Sequence, residues 1–244
     1  MKGIAAVFKR ELASYFTTPV AYVFIAIFLI VANAFTFYLG GFYERNQADL
    51  ASFFTFHPWL FLFLVPALSM RLWAEERKSG SIELLMTLPI EPWKSVVGKF
   101  LAAWAFTAIA IALTFPIWLT VNYLGSPDNG AILAAYVGSI LMAGGFLAVG
   151  SFISAMTKNQ VIAFIVAVVV SLMLVLAGFP LVLDVFSAWA PDALIDTIAS
   201  LSFLTHFENI RKGVIDVRDL VYFALLIGLA LYANTIVLEL KKAD

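Results

Sequence analysis

The chain has 244 residues, of which 63% are hydrophobic and 13% are charged, and its mean hydropathy is +0.97. This composition is typical of an integral membrane protein and excludes an ordinary soluble globule. The sequence contains no cysteine, which excludes disulfides and thiolate metal sites. The formal net charge of −1 conceals an uneven distribution of basic residues.

Residues 1–18 are predicted to form an amphipathic helix that lies in the membrane interface. Four apolar residues recur at the helical period on one face, namely Ile4, Phe8, Leu12 and Tyr15. The opposite face is basic, and a basic amphipathic helix is expected to rest on the cytoplasmic leaflet. The helix would be either a passive anchor or an elbow that also contacts a cytoplasmic partner.

Six apolar runs are long enough to be considered as membrane spans, which need about 20 residues each. They cover residues 20–41, 55–73, 97–124, 131–156, 160–183 and 219–240. Residues 184–218 are too polar to span and too apolar to be a free loop, so we predict an outer re-entrant or interfacial hairpin there. The predicted fold is all-α and polytopic, with six transmembrane helices in a single transmembrane domain over residues 1–244.

The basic residues predict the orientation of the chain, because they concentrate on the cytoplasmic side of membrane proteins. If the N-terminus is cytoplasmic, most of the 15 Lys and Arg residues fall on that side. The exceptions are Arg45, Arg211, Lys212 and Arg218. Both termini are therefore expected to be cytoplasmic.

The segment 74–95 connects the second and third spans and is expected to be a cytoplasmic loop. Charged residues from Glu75 to Lys78 continue the second span out of the membrane, and Gly80 suits a helix C-terminus. Ser81 suits the N-cap of a following short helix, and Glu83 would lie in its first turn. The loop either merely connects two spans or docks a partner.

The run from Glu75 to Ile90, EERKSGSIELLMTLPI, resembles the cytoplasmic loop of ABC-2 type transporter permeases. The six spans, the N-terminal elbow helix and the outer hairpin also match that family. The resemblance implies a type V exporter-like architecture, and a coupling helix in this loop that sits in a groove of an ATPase subunit. The interface positions that it implies are Glu75, Glu76, Gly80, Ser81, Glu83, Leu84, Leu85 and Pro89.

A second stretch, from Ser202 to Phe223, resembles the gliding-motility subgroup of these permeases. That resemblance implies an auxiliary protein with a large periplasmic domain. The chain lacks the G-x-x-x-x-G-K-[ST] motif, so ATP and Mg²⁺ are expected on a separate ATPase and no cofactor on this chain. The family implies two ATPase copies and a second permease copy, identical or related, in the bacterial cytoplasmic (inner) membrane.

The leading hypothesis is a permease subunit, not itself catalytic, that couples ATP hydrolysis on its partner to export. One alternative is a mechanotransmitter that passes force to an outer partner without moving a substrate. Another is a membrane scaffold without nucleotide coupling. No metal site and no nucleic-acid partner are expected, whereas membrane lipid is.

Two further groups of residues are assigned roles by their position. An outer polar cluster is expected to contact an outer partner or anionic lipid headgroups, and it consists of His206, Glu208, Arg211 and Lys212. In the fourth span, Gly144-x-x-x-Ala148 and Gly150-x-x-x-Ser154 have the spacing that permits close approach of helices. We interpret these small residues as packing positions.

Overall fold

The computed structural model describes residues 2–82, 90–187 and 190–240, and this part of the chain is helical with short connections. The first half comprises α1 (Lys2–Thr17), α2 (Pro19–Ala34, extended by a π-helical turn over Phe35–Leu39), α3 (Ala51–Thr55), α4 (His57–Ser69), α5 (Arg71–Ser79) and α6 (Pro92–Ala112). The second half comprises α7 (Phe115–Leu124), α8 (Asn129–Met156), α9 (Gln160–Leu176), α10 (Pro180–Ser187), α11 (Asp192–Ser200), α12 (Phe203–Arg211) and α13 (Val217–Leu240).

Four helical stretches among the described residues are long and apolar enough to cross a membrane. They are Pro19–Leu39, Pro92–Leu124, Asn129–Met156 and Val217–Leu240. They coincide with four of the predicted spans and confirm an all-α polytopic membrane protein. The predicted second span is divided into α4 and α5 at Met70.

The predicted fifth span is interrupted in the structure, and short helices follow it. The span was expected over 160–183, but α9 ends at Leu176 and a new helix begins at Pro180. Proline lacks a backbone N–H and disfavours the helical conformation of the residue before it, which accounts for an interruption ahead of Pro180. In the segment of the predicted outer hairpin, 184–218, the described residues form the end of α10 and the short helices α11 and α12, and the hairpin itself stays a prediction.

Helix α8 lies at the centre of the fold and contacts α4, α5, α6, α9, α12 and α13. Its glycines make these contacts possible. A Cβ atom on Gly138 would lie 2.7 Å from Ile210, and one on Gly145 would lie 2.7 Å from Phe203. Real Cβ atoms are not found so close to neighbouring atoms. The predicted packing role of the small residues in this helix is confirmed.

Helix α1 packs along the first half of α6. Val7 is buried there, and a Cβ atom on Gly98 of α6 would lie 2.8 Å from its side chain. Leu12 and Tyr15, on the predicted apolar face of α1, pack against the hydrophobic core. The N-terminal helix is therefore part of the packed structure and is fixed to α6, the helix that follows the predicted coupling segment.

Candidate functional site

Helix α5 carries the first of the sequence-predicted coupling positions. Glu75 and Glu76 lie in this helix, and Gly80 ends it with a φ of +74°, a left-handed conformation that glycine adopts without strain. A Cβ atom at Gly80 would have no neighbour within 4 Å, so the backbone conformation, not lack of space, favours glycine. The Ser81 hydroxyl lies 2.9 Å from that of Ser79.

The remaining predicted coupling positions lie outside the described residues. They are Glu83, Leu84, Leu85 and Pro89. The expected N-cap role of Ser81 depends on backbone groups in the same stretch and stays a prediction. The structure does describe where the segment begins and ends, because α5 leads into it and α6 follows it.

The break between α4 and α5 is bridged by a serine from the central helix. The Ser154 hydroxyl accepts hydrogen bonds from the backbone N–H groups of Trp73 (3.1 Å) and Ala74 (3.0 Å). It also donates to the carbonyl oxygen of Met70, at 2.8 Å. A side chain inserted among helical backbone groups is a known cause of helix breaks. Ser154 thus holds the base of α5 against α8.

A second set of hydrogen bonds extends this attachment to the last helix. Trp73 is fully buried, and its indole N–H donates to Ser151 Oγ at 3.2 Å. The side-chain amide of Asn234 in α13 donates to the same hydroxyl, at 2.8 Å. Arg77 additionally donates from its guanidinium to the carbonyl oxygen of Ala155. Polar contacts therefore join α5 to α8, and α8 to α13.

A buried lysine joins α5 to the N-terminal helix. Lys99 of α6 is 3% exposed, and its Nζ lies 2.7 Å from Glu76 Oε1 and 3.2 Å from Glu11 Oε2. Nζ also lies 5.3 Å from the centre of the Trp73 ring, within range of a cation–π interaction. The three ionic side chains come from α1, α5 and α6. We call Glu11, Glu76 and Lys99 the ionic junction.

The arrangement around α5 is suited to transmitting movement. The helix is attached to α8 at its base through Ser154, and to α1 and α6 through the ionic junction. Its C-terminal end leads into the segment that was predicted to contact a partner. A displacement of that segment would thus reach α1, α6 and α8 through named polar contacts.

The outer polar cluster is divided in two by the structure. Arg211 forms two hydrogen bonds with the Glu208 carboxylate, at 2.6 and 3.0 Å, and Lys212 lies 3.2 Å from the same group. Arg211 also donates to the carbonyl oxygen of Ala51 and to Thr55 Oγ1, which anchors α12 to α3. Partial burial raises the pKa of Glu208, but Arg211 and Lys212 outweigh burial and lower the pKa below its ordinary value.

His206 does not join these three residues and turns towards α13 instead. Its Nδ1 lies 2.6 Å from Oδ1 of Asp219, a carboxylate that is only 3% exposed. Its Nε2 lies 2.9 Å from the carbonyl oxygen of Ser200, which can only accept, so Nε2 donates. The ring stacks on Tyr222 with centroids 3.9 Å apart. His206 therefore fixes the start of α13 and is part of the packing between α12 and α13.

The family model for the ABC-2 family transporter protein matches residues 5–238, which is nearly the whole chain. The chain belongs to the ABC-2 family. As an ABC-2 permease it is a transmembrane component of an ABC transporter and works with an ABC ATPase. A comparison with curated proteins found no match.

Glu76 was predicted as a coupling position, but its ion pair with Lys99, and the part played by Glu11, were not predicted from the ABC-2 permease sequence. Lys99 was counted only among the basic residues that were predicted to lie on the cytoplasmic side of the membrane. A signal was present, because Lys99 lies inside the apolar run 97–124, and an ionisable residue in such a run usually has a specific partner. The partners, Glu11 and Glu76, come from distant parts of the sequence and are recognised only in three dimensions.

Replacing Arg211 by glutamine is expected to destabilise the ABC-2 permease by about 1 kcal/mol, because partly exposed ionic bonds contribute modestly. The change removes the attachment of α12 to α3 and the pair with Glu208. The matched control is Arg218→Gln, since Arg218 is exposed and its side chain has no ionic partner among the described residues. Equal unfolding midpoints in detergent for the two variants would contradict the attachment of α12 to α3 by Arg211.

Proposed function

We propose that this chain is the permease subunit that couples ATP hydrolysis on a separate ATPase to export across the bacterial cytoplasmic membrane. The predicted coupling helix in the loop 74–95 would occupy a groove of the ATPase. It would move with the ATPase when nucleotide binds. The observation that carries the proposal is the attachment of α5 to three other helices through Ser154 and the ionic junction. These contacts offer a route from the segment to the spans.

The assembly proposed with this function contains two ATPase copies and a second permease copy, identical or related. Both termini would be cytoplasmic, which the position of the basic residues supports. ATP and Mg²⁺ would be bound by the ATPase. The resemblance of Ser202 to Phe223 to the gliding-motility subgroup supports an auxiliary protein with a large periplasmic domain as a further partner.

Co-purification tests this function directly. The full chain is tagged, extracted from native membranes in a mild detergent, and its stoichiometric companions are identified by mass spectrometry. An ATPase with a Walker motif is expected among them. An additional protein with a large outer domain would support the gliding-motility subgroup. Recovery of the chain alone in several mild detergents would contradict ATPase coupling and favour the scaffold hypothesis.

The Glu83→Arg variant is expected to reduce the ATPase recovered with the chain by about tenfold, which corresponds to about 1.4 kcal/mol of binding free energy. A reversed charge at an interface is unfavourable when the partner surface is complementary to the original charge. The matched control is Glu239→Arg, which makes the same reversal at an exposed position near the end of α13. Equal ATPase recovery with both variants would argue against Glu83 as an interface position.

A further inference from the structure

Helix α11 is attached to the rest of the protein mainly at its C-terminal end. None of its nine residues is buried, and its main helix neighbours are α10 and α12. Two side chains bind the backbone where the helix ends. Nε2 of His206 donates to the carbonyl oxygen of Ser200 at 2.9 Å, and the Tyr222 hydroxyl donates to that of Leu201 at 2.6 Å. These two donors therefore largely hold α11 in place.

The ring of His206 has a hydrogen-bond acceptor on each side. The Ser200 carbonyl can only accept, so Nε2 carries a proton. On the other side, Nδ1 lies 2.6 Å from Oδ1 of Asp219, and two lone pairs at this distance would repel each other. A second proton must therefore lie between Nδ1 and Oδ1. A neutral imidazole has one N–H, so the pair holds one proton more than a neutral ring beside an ionised carboxylate.

The helix ends on the two sides of the ring favour this charge distribution. Asp219 lies in the first turn of α13, where the helix dipole stabilises a carboxylate. Ser200 is the last residue of α11, and the C-terminal end of a helix stabilises a cation. The Asn209 side-chain amide donates to the second oxygen of Asp219, at 3.4 Å. An imidazolium at His206 is thus placed between a carboxylate and the negative end of a helix.

Few other charged groups surround the ring. Asp219 and Tyr222 of α13 are the titratable side chains in contact with it. The other helices packed against α12 include α3, α8 and α9, and these carry no charged residue. The remaining charged residues of α11 and of the end of α12 are either exposed or paired with one another, namely Asp192, Asp196, Glu208, Arg211 and Lys212. The proton shared by His206 and Asp219 therefore determines the local charge.

We propose that His206 and Asp219 form a proton-binding site whose occupancy determines whether the end of α11 is attached to α12. When the proton leaves to solvent through the exposed 13% of the His206 side chain, the neutral ring keeps its N–H on Nδ1, facing the Asp219 carboxylate. Nε2 then presents a lone pair to the Ser200 carbonyl oxygen, and the two repel. Because the attached state binds the additional proton, attachment is present at low pH and is lost as the pH rises. Proton binding at this predicted outer side does not depend on ATP coupling.

A spin label on α11 tests the proposal in the full chain. The native sequence contains no cysteine, so Ala193→Cys, at an exposed position of α11, allows a single label to be attached. The mobility of the label is measured by electron paramagnetic resonance from about pH 5 to about pH 9, which covers the range in which histidines change charge. The label is expected to be immobilised at low pH and mobile at high pH. The same mobility at every pH would overturn the proposal.

Three variants in the labelled chain distinguish proton binding from simple packing. His206→Gln is expected to abolish the pH dependence, although it leaves His57 as the one remaining histidine of the sequence. Asp219→Asn is expected to move the midpoint to lower pH, because a neutral partner stabilises the imidazolium less. Tyr222→Phe removes the bond to Leu201 and is expected to raise mobility at every pH without moving the midpoint. A wild-type pH profile in both His206→Gln and Asp219→Asn would overturn the proposal.

Nitrogen NMR of the protein with ¹⁵N-labelled histidine gives a readout that needs no substitution in the site. The His206 signals are those that disappear in His206→Gln. Both ring nitrogens of His206 are expected to carry a proton where the label on α11 is immobilised, and one nitrogen where it is mobile. A singly protonated His206 ring in the attached state would overturn the proposal.

Discussion

The Lys99→Met variant is expected to lose about 3–5 kcal/mol of stability, because removing the buried lysine leaves the Glu76 carboxylate without its cation. Methionine fills a similar volume but supplies no charge, so Glu76 would lose its ion pair, whereas Glu11 would keep its pair with Arg10. The measurement is the unfolding free energy of the purified chain in detergent.

Two comparisons isolate the ionic contribution of Lys99. Lys158→Met makes the same replacement at an exposed position and is expected to change stability little. Combining Lys99→Met with Glu76→Gln is expected to recover part of the loss, since the carboxylate that lost its cation is neutralised. A double-mutant cycle gives the interaction energy of the pair. If Lys99→Met unfolded at the same denaturant concentration as Lys158→Met, the ionic junction would have no structural importance.

The Gly150→Ala variant is expected to destabilise the chain by about 1–3 kcal/mol or more, as overpacked cores do. A Cβ atom on Gly150 would lie 2.0 Å from Ser69 Oγ and 2.8 Å from Ser69 Cβ. Because Ser69 ends α4, the added methyl would push this helix away from α8 just before the break at Met70. The hydrogen bonds to Ser154 would weaken as a consequence.

Gly228→Ala is the matched control for Gly150→Ala. A Cβ atom on Gly228 of α13 would have no neighbour within 4 Å. Alanine there is expected to be neutral or to stabilise by up to about 1 kcal/mol, through its better helix propensity. Adding Ser69→Gly to Gly150→Ala should restore part of the loss, because the clashing side chain is gone. Similar melting of Gly150→Ala and Gly228→Ala would contradict close packing at this position.

The apolar helices could be predicted from sequence because each depends on its own composition. Long apolar runs specified α2, α6, α8 and α13 without any knowledge of their neighbours. The break at Met70 could not be predicted in this way, since the Ser154 hydroxyl that bridges it lies 84 residues further along the chain. The division of 184–218 into short helices likewise depends on which surfaces α8 and α13 offer.

In the candidate site, too, features that depend on neighbouring residues could be predicted from the sequence, whereas features that depend on distant residues could not. Gly80 was recognised as a helix end because a left-handed residue has a local sequence signature. The ionic junction was missed because its three members lie on α1, α5 and α6, and nothing in the sequence indicates that these helices meet. His206 was grouped with Glu208 by proximity in sequence, whereas packing turns it towards Asp219 on α13.

Because α4 and α5 are divided at Met70, the displacement of the far end of α5 during a tilt about this residue can be estimated. Its nine residues span about 13 Å, so a rigid tilt of about 10° at Met70 would move its far end by about 2 Å. Glu76, nearer the pivot, would move by about 1.5 Å. With side chains held in place, that shift would stretch its 2.7 Å contact with Lys99 beyond the reach of an ion pair. A tilt of α5 would therefore require Lys99 of α6 and Ala155 of α8 either to follow the helix or to lose their contacts with Glu76 and Arg77.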